Sequence, residues 1–131
     1  MDTTNNAETA RSQLPATPVF LFVWQTNGFR KIAVDDVSYL EASRNYCSIC
    51  LSDGSHILLS VPMLQAGEAF LSWKFIRISR SHIVNMDYVD TLRGNMLYIG
   101  EKGFTIGTGF RQAVFSRFRF LGSNSKRINS G

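Results

Sequence analysis

The sequence is poor in the features that announce a membrane, secreted or catalytic protein. No run approaches the ~18 consecutive apolar residues of a membrane-spanning helix. The start Met1-Asp2-Thr3-Thr4-Asn5-Asn6 lacks the basic-then-apolar order of a signal peptide, so a cytoplasmic location without a membrane partner is expected. Two cysteines, Cys47 and Cys50, are too few for a disulfide framework, in keeping with a reducing compartment. There is no Gly-x-Ser-x-Gly elbow, no dinucleotide fingerprint and no Gly-Lys-Ser/Thr ending, so Gly100, Gly103, Gly107 and Gly109 are assigned to turns. A fixed-period repeat and low-complexity tracts are also missing. Nothing in the chain points to catalysis, a cofactor or a small-molecule substrate.

Cys47-Ser48-Ile49-Cys50 has the spacing of a redox or zinc motif, but residues three apart on a strand point to opposite faces, so the two sulfurs cannot converge on one metal. His56 and His82 bring the potential ligands to four. A turn at Asp53-Gly54 is expected to set His56 across from Leu51 and away from Cys50, and no metal site is expected.

What is present suits one globular domain: 131 residues, 44% of them hydrophobic and 12% aromatic, enough to bury a single core. The formal net charge of +4 fits a polyanionic partner, although many basic proteins of this size have none.

Residues 1 to 17 are polar and small and read as a disordered lead-in. The folded region, residues 18 to 121, opens with the apolar run Val19-Phe20-Leu21-Phe22-Val23-Trp24. Asn27-Gly28 signals a turn, and Phe29-Arg30-Lys31-Ile32-Ala33 a returning strand. Val34-Asp35-Asp36 can hold one helical turn before a strand over 37 to 42. Ser43-Arg44-Asn45 is a polar break, and strands over 46 to 52 and 55 to 61 form a hairpin closed by Asp53-Gly54 as a two-residue turn. Pro62 opens a helix with Met63, Leu64, Ala66, Phe70 and Leu71 as its apolar stripe. Strands are expected over 88 to 92, 96 to 99 and 103 to 106. A closing helix capped by Thr108 should share Phe110, Val114, Phe118 and Leu121 on one face. From Arg111 to the end of the chain there is no acidic residue, which leaves a basic helix and a flexible tail over 122 to 131, either an electrostatic footprint or a solvated surface. Many short strands and two helices make a mainly β fold of small antiparallel sheets.

The stretch that organises the chain is Phe75-Ile76-Arg77-Ile78-Ser79-Arg80-Ser81-His82-Ile83-Val84-Asn85, two short strands around a polar kink. Cations and hydroxyls at such a kink suit either phosphate contact or an edge strand blunted by charge. The pattern Phe-x-Arg-x-x-Arg-Ser-x-x-Val-Asn resembles the signature of the LytTR DNA-binding domain, the output module of many bacterial response regulators. A histidine commonly stands in that family where this chain has Ser79. Asp36-Val37-Ser38-Tyr39-Leu40-Glu41-Ala42 resembles the family's strand-leading Asp-Ile-x-Tyr-x-Glu-Ala.

The resemblance implies an elongated ten-stranded fold of small sheets and short helices that reaches DNA through loops and its final helix. It also implies three contact clusters. Ser43-Arg44-Asn45-Tyr46 would enter a major groove, with Arg44 and Asn45 on base edges; Asn45 also suits a turn for its own sake. Arg77, Ser79, Arg80 and Ser81 form the second cluster, with Arg80 near a minor groove and Arg77 either supporting the backbone or pairing within the fold. At the last helix the family's Val-Ser-Arg is replaced by Ile106-Gly107-Thr108, so Arg111, about one turn on, takes over the phosphate contact or contact there is weaker. The expectation is a stand-alone transcription regulator on duplex DNA, with direct repeats and a homodimer on DNA as further implications. With so short a lead-in, no receiver domain and no phosphorylation within the chain are expected. The alternative is a LytTR-like module for protein interaction or self-assembly.

Overall fold

The computed structural model describes residues 19–70 and 74–122. The expected lead-in, Leu71 of the helical stripe and nearly all of the tail lie outside them. The described residues contain ten strands, in two units.

The first unit is a hairpin of β1 (Phe20–Gln25) and β2 (Gly28–Ala33), followed by a 3-10 turn at Val34–Asp36. Gln25 pairs with Gly28, so the two loop residues are Thr26 and Asn27, one position before the expected Asn27-Gly28. Gly28 is the first residue of the returning strand. Phe20, Phe22, Trp24 and Phe29 are exposed, with Trp24 edge-on to Phe29 and the Lys31 ammonium 4.2 Å from the Phe20 ring centre.

The second unit begins with β3 (Val37–Ser43), β4 (Tyr46–Leu51) and β5 (His56–Leu59), continues through helix α1 (Met63–Phe70), and returns to the sheet with β6 (Phe75–Ser79) and β7 (His82–Asn85). These strands form one antiparallel sheet in the order β5-β4-β3-β7-β6. A 3-10 turn at Met86–Tyr88 leads to a second antiparallel sheet of β8 (Thr91–Arg93), β9 (Met96–Ile99) and β10 (Lys102–Thr105). A 3-10 turn at Thr108–Phe110 and helix α2 (Arg111–Ser116) follow.

Both faces of the five-stranded sheet are covered, and β6 accordingly buries Phe75 together with its neighbour Ile76, which point to opposite faces. On one face α1 turns Met63, Ala66, Gly67 and Phe70 inward, and Phe70 meets the Phe75 ring at 5.4 Å. Gly67 eases the fit there: a Cβ would stand 2.9 Å from Ile83 Cδ1, so any larger residue would have to displace the end of the Ile83 side chain. The other face buries Ile76, Ile78 and Val84 with Leu97, Phe104, Ile106 and Val114, joining the two sheets and α2 in one core.

Several expected boundaries shift. Leu64 faces solvent, because Gly67 rather than Leu64 occupies the contact face of α1. The β4–β5 loop has four residues, not two: Asp53 Oδ1 accepts the Ser55 N–H at 2.8 Å and the Gly54 N–H donates to Leu51 O at 3.0 Å, a side-chain-closed turn wider than Asp-Gly alone. His56 consequently pairs with Cys50, not Leu51. Tyr88, expected to open a strand, instead ends a 3-10 turn over Met86–Tyr88, which Asn85 caps by accepting the Asp87 N–H on its Oδ1 at 2.9 Å, and the strand begins at Thr91. Phe110, not Thr108, stands at the cap of α2, and Gly107 at that of the 3-10 turn before it, neither with a side-chain capping bond, and Leu121 is fully exposed.

Candidate nucleic-acid interface

The strand pair over 75–85 is anchored at one end and presented at the other. At the anchored end Asn85 is fully buried; its Nδ2 donates to Val37 O at 2.9 Å while its Oδ1 caps the following turn. A buried side-chain amide is tolerable only when so satisfied, and here it ties β7, the next turn and the start of β3 together. The terminal Val-Asn of the signature is therefore architecture.

At the presented end, Arg80 and Ser81 are the two loop residues between β6 and β7, both exposed. The register passes from Arg77↔Ile83 to Ser79↔His82, so Ile78 is the extra residue of a β-bulge. The bulge turns its carbonyl out of the ladder, and the Gly107 N–H donates to it at 2.8 Å. That bond sets the Thr108–Phe110 turn, and with it the start of α2 at Arg111, beside β6 near its presented end. Space at Gly107 is tight on one side: a Cβ would come within 3.1 Å of the Phe110 ring, which would have to give slightly, and in ordinary contact with Ile78 O at 3.6 Å.

Arg44 and Asn45 are likewise the two loop residues of a hairpin, closed by Ser43 opposite Tyr46. The polar break is thus a tight turn, with Arg44 at φ +59°, the only left-handed non-glycine backbone among the described residues. A left-handed arginine costs roughly 1–2 kcal/mol against an unstrained one. β3 lies between β4 and β7; Glu41 pairs with His82, and the Ala42 N–H donates to Ser81 O at 2.8 Å. The two tips therefore emerge side by side from one end of the sheet.

The fold brings together the three clusters that lie apart in sequence: Arg44, Asn45 and Tyr46 at one tip, Ser79, Arg80 and Ser81 at the next, and Thr108 and Arg111 beside the bulge. Arg77 lies in the same group but points its donors inward: Nε donates to Ser79 O at 3.1 Å and Nη2 to Arg80 O at 2.6 Å. Sequence reasoning did not bring Glu41 and His82 together, whose Oε2 and Nε2 stand 3.4 Å apart at this same end. Only the pairing of β3 with β7 makes them neighbours, so spacing along the chain carries no signal for them.

The cysteines take no part. Cys47 is buried and Cys50 half-buried, each a free thiol, and burial pushes the Cys47 thiol up to about 11. No group of three or more potential metal ligands comes together among the described residues. None of the described helices is long and apolar enough to cross a membrane.

Residues 27–113, more than half of the chain, match the family model of the LytTR (LytTr) DNA-binding domain, and the chain belongs to that family. Among solved structures it is similar to the LytTr DNA-binding domain of a methyl-accepting/DNA response regulator from Bacillus cereus. That likeness has a TM-score of 0.66 at 16% identity, covering 77% of this chain and 97% of the other, and at that identity it speaks for the fold. No curated protein matches the chain.

Proposed function

We propose that this protein is a transcription regulator that binds duplex DNA sequence-specifically in the cytoplasm of a bacterium and carries out no catalysis itself. The observation that carries the reading is the convergence of two exposed arginine-bearing tips and the start of the last helix at one end of a sandwiched sheet. Membership of a DNA-binding family supports it. Arg44 and Asn45 are assigned to base edges, where guanidinium and amide can each make a paired contact to guanine or adenine. Tyr46, Ser79 and Ser81 flank them as phosphate donors, and Arg80 enters the intervening minor groove, whose potential is most negative where it is narrow. Thr108 and Arg111 meet a second stretch of backbone. Two copies on direct repeats about one helical turn apart would present these surfaces to one side of the duplex.

Selection of bound duplexes from a random pool tests the proposal. An enriched motif is expected, repeated at a fixed spacing, with log affinity falling linearly as log salt rises. Absence of salt-dependent duplex binding would overturn the reading in favour of a protein-interaction module on the same fold.

A further inference from the structure

The four polar residues of the signature kink divide into two kinds, and the division follows from where their hydrogen bonds go. A guanidinium carries five donors in a rigid fork. Arg77 uses that fork on the turn itself, reaching the carbonyls of Ser79 and Arg80 at 3.1 and 2.6 Å. The Ser79 hydroxyl accepts the Ser81 N–H at 3.3 Å and stands 3.3 Å from His82 Nδ1. The Ser81 carbonyl is in turn held by the Ala42 N–H at 2.8 Å. Every backbone carbonyl from Ser79 to Ser81 is therefore engaged, two of them by one side chain.

A two-residue loop after a bulge needs this help. The bulge takes Ile78 out of the ladder, so a single pair, Ser79↔His82, stands between the irregularity and the turn. The next loop residue is an exposed arginine, which would otherwise sample many orientations.

We infer that Arg77 is a positioning residue: it touches no DNA, and by clamping the Ser79 and Arg80 carbonyls it fixes the turn that presents Arg80. This deepens the proposed function and rests on it. Lysine cannot substitute, because a single ammonium has the charge but not the fork that spans two carbonyls.

The test uses the full chain with Arg77→Lys, Arg77→Gln and Arg80→Ala, and Arg77→Lys combined with Arg80→Ala. Affinity is measured for duplexes with A·T-rich and G·C-rich centres across a salt series, and amide hydrogen exchange is followed at Ser81 and His82 against the core residues Leu97 and Phe104. For a positioning residue, Arg77→Lys and Arg77→Gln should both weaken binding roughly tenfold. The salt slope should be unchanged, the preference for A·T-rich centres should shrink, and exchange should quicken at Ser81 and His82 but not at Leu97 and Phe104. In the Arg80→Ala background, Arg77→Lys should have no further effect. Normal binding by Arg77→Lys, with Arg77→Gln losing affinity and about one unit of salt slope, would make Arg77 a phosphate contact and overturn the inference. So would unchanged exchange at the turn, or additive losses in the double variant. If the unmodified chain binds no duplex, the proposed function fails, and the exchange measurement still decides whether Arg77 holds the turn.

Discussion

The two tips at the presented end of the sheet are the same length and are built in opposite ways. The Arg80-Ser81 loop is held by side chains: Arg77 on two carbonyls and the Ser79 hydroxyl on one N–H. The Arg44-Asn45 loop instead places an arginine in the left-handed region at φ +59°, where glycine or asparagine would sit more easily. The contrast teaches that residue choice at the first tip agrees with its backbone, while at the second it works against it. A local conflict of that kind, in an otherwise consistent fold, points to selection for what the side chain does.

The largest effect should come from neither tip but from their common anchor. Asn85→Ala removes a donor to Val37 O and the cap of the next turn inside a sealed site, and should lower stability by about 3 kcal/mol, read as a drop in thermal midpoint. An unchanged midpoint would mean that water satisfies these groups and that the anchor is unnecessary.

Next in size, Arg44→Ala and Asn45→Ala should each cost about 1–3 kcal/mol of affinity for the selected site and flatten base preference. Equal weakening on selected and random duplexes would instead make this tip a phosphate-backbone contact. Arg80→Ala should weaken binding most on A·T-rich centres without altering the thermal midpoint, and Arg80→Lys should recover only part of the loss, since an ammonium gives up more hydration on entering the groove. A parallel fall in stability would make Arg80 structural.

The smallest effect sharpens the contrast most. Arg44→Gly should raise stability by about 0.5 kcal/mol, the relief of left-handed strain less the added freedom of the unfolded chain, while affinity falls. A chemical denaturation series together with a binding titration would show both signs. A stability loss would mean that Arg44 is a packing residue, and the two tips would then differ only in detail.

Much of the architecture was legible because alternating or continuous apolar runs between turn residues are local signals. Strand pairs around the polar kink of 75–85 and around Arg93-Gly94-Asn95, the last with Arg93 joining its strand, a helix behind Pro62 and a helical turn at Val34–Asp36 all read from the sequence. The misses occurred where a side chain or a distant contact reset the backbone. Asp53 widened a loop that Asp-Gly would have closed in two residues, and the turn capped by Asn85 took in Tyr88, the expected start of a strand.

By itself, then, the sequence determined the class of fold and the polar kink of the signature stretch, since propensity, turn chemistry and periodicity act within a few residues of one another, while the three contact clusters were named only by the family resemblance. Only the tertiary structure decided that β3 lies between β4 and β7, which sets Arg44-Asn45 beside Arg80-Ser81. It decided too that the Ile78 carbonyl, freed by a bulge, receives Gly107, and that Arg77 turns inward while Arg80 stays exposed. The first two depend on pairings between residues far apart in the chain and on where a freed backbone group finds its partner, and the third on the turn that those pairings close, which no spacing along the chain encodes.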